Sequence, residues 1–201
     1  GFCQKYPHID IVLKEHSAAT LSAMLSAHEL DMTFSCNEEF MSGFERYPAF
    51  TDHVLLAVQK DHPVNSSLSD FVLTADDIEK GRHLSDTCPA VSLNFFRDMD
   101  FILLSPGNNL HERSMKMFDT AGFTPSVKLQ LSQLVTAYHL AEHFPAATFV
   151  SDRLVMHSHA PLCYYRLDYG CAERTFYMLL PKRNYTSIAT RTFIQYFREQ
   201  I

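Results

Sequence analysis

The order of apolar runs, breakers and amphipathic stretches predicts an α/β chain built on mixed, mostly parallel sheet. Three observations carry this. Residues 101–152 run strand, polar loop, helix, strand, helix, strand, the repeat that builds a parallel sheet with crossover helices. The first thirty-odd residues read as another strand–helix–strand unit. At 201 residues and 46% hydrophobic, the chain can bury a substantial core as one large domain or two small ones.

Each element follows from its residues. His8 to Glu15 alternates, with Ile9, Ile11 and Leu13 on one face, which predicts a strand. Ser17 can cap a helix reaching Glu29, whose apolar face carries Ala18, Leu21, Met24 and Leu25. Leu30–Phe34 resumes strand character and ends in Ser35, Cys36 and Asn37, a candidate ligand loop; such a unit is expected to be parallel and right-handed. Val54–Val58 predicts a buried strand closed by Asp61, His62 and Pro63. From Val64 to Asp100 the pattern gives only a short helical turn within Leu68–Ile78, with Asp76 and Asp77 near its start, and irregular structure around Cys88 and Pro89.

Phe101–Leu104 suits a strand buried on both faces. Ser105-Pro106-Gly107-Asn108-Asn109 breaks it, because Pro106 cannot donate to a ladder and Gly107 tolerates positive φ. Asn109 is the expected N-cap of the next helix, with Glu112 reaching back to it, and Gly122 followed by Pro125 ends that helix. Val127–Leu129 predicts a strand. Ser132 opens a helix with Leu134, Val135, Tyr138 and Ala141 inward, and Ala147–Val150 predicts the next strand. The residues around His157 and the pair Tyr164-Tyr165 read as loops. Thr175–Leu180 predicts a strand stopped by Pro181, and Ser187 caps a last helix with Ala189, Phe193, Tyr196 and Phe197 on one face.

Composition excludes several functions. A formal charge of -6 and the absence of any Lys or Arg run argue against a nucleic-acid surface on this segment. No apolar run approaches the ~18 to 20 residues of a membrane span, and the start lacks the apolar core of a signal peptide, so a cytoplasmic protein without membrane contact is expected. Five scattered cysteines without CxxC spacing read as reduced thiols. His157-Ser158-His159, with Cys163 nearby, could place two imidazoles on one strand face, but no further spaced ligand follows; neither a metal nor a cofactor is expected. No Gly-x-Ser-x-Gly elbow, Walker loop, GxGxxG or HExxH occurs, and nothing positions a base beside Ser35 or Cys36, so no catalytic residue is expected. Ser105 and Asn108 sit where a parallel strand gives way to a helix, a position that favours an anion. The plain alternative is ordinary loop and cap residues.

Taken in order, Tyr6-Pro7-His8-Ile9, Glu29-Leu30-Asp31-Met32, Val54–Val58 with His62-Pro63, Phe101–Leu104, Ala121-Gly122-Phe123 with Pro125, Gln133 with Thr136-Ala137-Tyr138, and Phe149-Val150-Ser151-Asp152 resemble the effector-binding domain of LysR-type transcriptional regulators. The resemblance covers nearly the whole chain. It implies the type 2 periplasmic-binding-protein fold: two Rossmann-like subdomains, residues 1–60 with 172–201 and residues 61–171, joined by two crossover segments, with a small molecule held in the cleft. It places Ser35 and Cys36 on the first subdomain, and Ser105, Asn108, Asn109, Gln133, Thr136 and Ser151 on the second, at the ligand, a small effector of carboxylate or other anionic type. For Gln133 and Thr136 the alternative is an exposed amide and a hydroxyl bonded to its own helix. A homodimer or higher oligomer, and DNA contact only through an N-terminal domain outside this chain, are also implied. Gly1–Tyr6 matches the last turn of the family's first helix, so the family's first strand and its loop are expected either to lie upstream or to be missing from a truncated chain with an incomplete cleft. The family's usual glycine pair is replaced by His143-Phe144-Pro145, so that turn must differ. Two other readings remain: a stand-alone solute-binding protein of the periplasmic type, disfavoured by the lack of an export signal, and a small-molecule enzyme.

Overall fold

The computed structural model describes residues 1–157, 159–182 and 186–200. The chain divides into two compact units, residues 1–51 with 175–201 and residues 52–174. Residues 52–60 and 172–174, assigned by sequence to the first subdomain, thus fall in the second unit.

Unit 1 contains α1 (Phe2–Lys5), α2 (Ala18–Ser26), β1 (Thr33–Ser35) and the start of β2 (Phe44–Gln59), and most of the last strand and helix. Ser17 caps α2 by accepting from Thr20 N at 3.2 Å, as its sequence predicts. The expected strand at His8–Glu15 is absent: those residues have no regular structure, and Val12 and Leu13 are 79% and 90% exposed. The parallel strand–helix–strand unit is therefore absent too; β1 pairs antiparallel with the strand at Glu173–Pro181, Phe34 facing Met178. Alternation favours a face, but a strand also needs a neighbour to satisfy its backbone. Among the described residues, none pairs with 8–15.

Unit 2 holds the rest of β2, then α3 (Val64–Ser67), α4 (Ala75–Glu79), β3 (Asp100–Leu104), α5 (Asn109–Ala121), β4 (Ser126–Leu131), α6 (Leu134–Ala141), β5 (Ala146–Ser151), α7 (Asp152–Val155) and β6 (Leu162–Arg166), and the beginning of β7 (Glu173–Pro181), which ends in unit 1 before α8 (Ile188–Arg198). Its sheet runs β6, β2, β5, β3, β4. Strand β3 is parallel to β4 and β5, while β2 is antiparallel to β5 and β6, so the sheet is mixed. Tyr164 and Tyr165, expected in a loop, are buried in β6.

The core of unit 2 is continuous. Every residue of β5 is buried, and β3 is buried from Phe101 to Leu104. Helix α5 lays Leu110, Met117 and Phe118 onto them, with the Phe118 ring 4.8 Å from that of Phe101 and 5.5 Å from that of Phe149. In α6 the inward residues are Ala137, Tyr138 and Ala141; Val135, expected inside, is 52% exposed. The cap of α6 is Gln133, one residue later than expected. The turn after α6 avoids the left-handed region altogether, His143 and Phe144 both donating to Leu140 O from right-handed or extended backbone.

Candidate functional site

The parallel arrangement of β3, β4 and β5 brings their C-terminal ends to one edge of the unit 2 sheet, where α5, α6 and α7 begin. Six of the eight residues singled out in the sequence lie there. Ser105 follows β3, and its backbone N and Oγ both donate to Leu131 O, at 2.7 and 3.2 Å, which ties the loop after β3 to the end of β4. Asn108, not Asn109, is the N-cap of α5; its Oδ1 accepts from Leu110 N at 2.9 Å. Asn109 is the first helical residue, and its Oδ1 accepts from Arg113 Nε at 2.9 Å. Glu112 reaches back as expected of a capping carboxylate, but to Gly107 N at 3.2 Å, because the cap lies one residue earlier.

At the start of α6, Gln133 and Thr136 are exposed, and Thr136 Oγ1 donates to Gln133 Oε1 at 3.2 Å. Ser151 is buried: it caps α7 and donates to Asp52 Oδ2 at 2.7 Å. Ser35 ends β1 in unit 1 and Cys36 follows it, both buried, and Ser35 Oγ accepts from Asn37 N at 3.1 Å.

The same edge carries a group of ionisable residues that sequence reading missed. Arg174 is buried and clamps Asp52 with two hydrogen bonds, Nε to Oδ1 at 2.8 Å and Nη2 to Oδ2. Beside them, Asp152 Oδ1 accepts from His53 N at 3.1 Å and Arg153 N at 2.8 Å. Its Oδ2 faces His53 Nδ1 at 3.2 Å and His83 Nε2 at 3.0 Å. Burial pushes the Asp152 carboxyl up, but the hydrogen bonds from His53 and His83 outweigh it and hold it well below the usual carboxylate range. The Asp152 hydrogen bond raises His53 in turn. No local motif joins residues 53, 83 and 152; only Asp152, at the end of a predicted strand, carried any signal. The His157-Ser158-His159 run falls partly outside the described residues, and His157 Nδ1 lies 2.9 Å from Glu79 Oε1.

Two hollows lie within unit 1. One of about 590 Å³ is lined by Tyr47, Leu180, Arg191 and Arg198 among others, and one of about 330 Å³ runs along Ile9–Lys14 and Glu29–Phe34. None of the eight predicted residues lines either. In unit 2 there is a void of only about 10 Å³ among Ile102, Leu110 and Phe149, too small for an effector. The polar strand-end residues thus belong to unit 2, and the two hollows to unit 1.

The chain is 24% identical over 202 residues to the uncharacterized HTH-type transcriptional regulator YcgK of Bacillus subtilis (strain 168), covering 100% of this chain and 60% of that protein. It thus spans less than two thirds of that regulator. Among solved structures it is similar to the regulatory domain of Synechocystis PCC6803 CcmR in complex with 2-PG, with a TM-score of 0.77 at 17% identity, covering 99% of this chain and 86% of that one. It is also similar to the BenM effector binding domain with its effector benzoate, with a TM-score of 0.70 at 19% identity, covering 99% and 82%. At such identities the structures speak for the fold, the type 2 periplasmic-binding-protein kind expected from the sequence. A match over the whole of residues 1–201 settles the family: this chain belongs to the LysR substrate binding domains.

Proposed function

We propose that this chain is the effector-sensing part of a LysR-type transcriptional regulator, and that it takes a small anionic metabolite, a carboxylate, at the strand-end edge of unit 2. The observation that carries this is the convergence of three parallel strand ends and the helix starts that follow them on one edge, where exposed Gln133 and Thr136 lie with Ser105, Asn108 and Asn109. Open α/β sheets bind ligands at such edges, and helix N-termini favour negative charge. In this reading Thr136 and Gln133 exchange their mutual hydrogen bond for bonds to the carboxylate, while Ser151 acts indirectly by holding Asp52. Ser35 and Cys36 stand outside the proposal.

The ligands held by the two structural relatives, 2-PG and benzoate, support a small anionic effector by likeness only. Binding then shifts the population of a dimer or tetramer by the effector's differential affinity for two states, typically ~1 to 3 kcal/mol, and so alters transcription. DNA is read by a region outside this chain, in the cytoplasm, and no reaction is catalysed.

Thermal-shift screening of small carboxylates tests this. A true effector at about 100 times its Kd should add about 2.7 kcal/mol of stability. Replacing Ser105 and Thr136 by Ala should weaken binding; unchanged affinity in both variants removes the site.

A further inference from the structure

We propose that His53, His83 and Asp152 form a binding site for a divalent first-row transition cation of the Zn²⁺ type. The three offer two imidazole nitrogens and a carboxylate oxygen whose donor atoms all lie within 4.8 Å of one another. Asp152 Oδ2 lies 3.2 Å from His53 Nδ1 and 3.0 Å from His83 Nε2. Ligands about 2.0 to 2.1 Å from a tetrahedral Zn²⁺ stand roughly 3.3 Å apart, so two of the three spacings are already those of a loaded site. The third closes when the half-exposed His53 ring turns inward.

The carboxylate is set for this task. Its Oδ1 is held by two backbone N–H groups, from His53 at 3.1 Å and Arg153 at 2.8 Å, which fixes the plane and leaves Oδ2 aimed at both rings. Glu173 Oε2 stands 3.8 Å from His53 Nε2 and can accept a hydrogen bond from that N–H, with a small approach, once Nδ1 binds metal. Acidic groups surround the site: Asp52, itself paired with the Arg174 guanidinium, and Glu173 lie beside Asp152 and His53. Cations enter from the His53 side, whose side chain is 31% exposed, while His83 is 4% exposed. Two imidazoles with one carboxylate select Zn²⁺, Co²⁺ or Ni²⁺ over Ca²⁺ and Mg²⁺, which prefer oxygen. A fourth position is left for water. One feature tempers the affinity. His83 Nδ1 is buried without a hydrogen-bond partner among the described residues, and it must carry the ring proton when Nε2 is on the metal.

The test is a titration of the chelator-stripped protein with Co²⁺, read by its visible ligand-field bands, followed by displacement with Zn²⁺. The expected result is one equivalent bound with the absorption of a four-coordinate ion, displaced by Zn²⁺ but not by equal Ca²⁺ or Mg²⁺. His53→Gln and Asp152→Asn should each lower affinity at least about tenfold. His139→Gln, which alters a surface pair with Glu142 at 2.7 Å, should leave it unchanged. Because Asp152 also supports the local fold, the half-exposed His53→Gln decides. No ligand-field band, displacement by Ca²⁺, or parent-like affinity in His53→Gln would overturn the site.

Discussion

Unit 2 and unit 1 use similar sequence patterns to different ends. In unit 2, Phe101–Leu104 lies between β4 and β5 and is buried in one continuous core. In unit 1, His8–Glu15 alternates as clearly but has no neighbouring strand among the described residues, and the buried apolar residues of that unit form two small clusters, around Leu25, Met41 and Leu179 and around Ala49, Met178 and Leu180. Periodicity states which face a segment would bury. Only a partner turns that preference into a strand.

The largest expected effect tests this directly. Phe118→Ala should cost about 3 to 5 kcal/mol, because the ring packs between Phe101 and Phe149 and the space cannot refill. Leu13→Ala in the same protein should change stability by less than about 0.5 kcal/mol, since its side chain is already in water. Urea unfolding measures both, and similar losses would break the contrast.

Next comes the buried ion pair of unit 2. Arg174→Met strands the Asp52 carboxylate in the interior and should cost about 3 kcal/mol, whereas adding Asp52→Leu should recover much of that loss. A double variant no better than the single would mean that Arg174 acts through packing alone.

A smaller effect separates two helix ends of the same form. Helix α2 closes with His28 at φ 62°, with His28 N donating to Leu25 O and Glu29 N to Met24 O; α5 closes with Gly122 at φ 76° and the matching pair of bonds. Histidine pays a steric penalty in that region that glycine avoids. His28→Gly should therefore stabilise unit 1 by up to about 1 kcal/mol, and Gly122→Ala should destabilise unit 2 by about 1 kcal/mol. Thermal melts of the two variants should shift in opposite directions.

The smallest concerns pH. Burial raises the Asp77 carboxyl, but hydrogen bonds from Thr74 and Arg82 outweigh this and hold it below its ordinary value. A group depressed in the folded state contributes stability that is fully present above its unfolded pKa of about 3.9 and is lost as pH falls through the lower folded value. The α4 cap should thus lose about 0.5 to 1 kcal/mol below that range, and Thr74→Ala should remove most of the effect. A pH profile of stability unchanged by Thr74→Ala would show the cap to be irrelevant.

The run from β3 to β5 was legible because its strands are short, apolar and bounded by Pro, Gly and Asn, and its helices carry one apolar face. Strand β6 was not, because Cys163, Tyr164 and Tyr165 show no alternation; both faces are covered, and Tyr138 and Tyr164 join hydroxyls at 2.6 Å inside the core. The first half of β2 was hidden by Glu45, Arg46 and Pro48, a mixture that reads as loop until a neighbouring strand is known. At the candidate site, the strand-end residues could be found from local signals, since caps and breakers mark where strands stop. The cluster of His53, His83 and Asp152 could not, for its members are 30 and 69 positions apart and meet only through the tertiary fold.

The clamp of Arg174 on Asp52, with Ser151 donating to the same carboxylate, has a consequence for how such chains diverge. A lone replacement at either charged position passes through a poorly folded ancestor, so drift at 52 and 174 should be paired, and a serine or equivalent donor at 151 should be kept only while the acid is. Sequence sets of this lineage should therefore show these three sites changing as one hereditary unit.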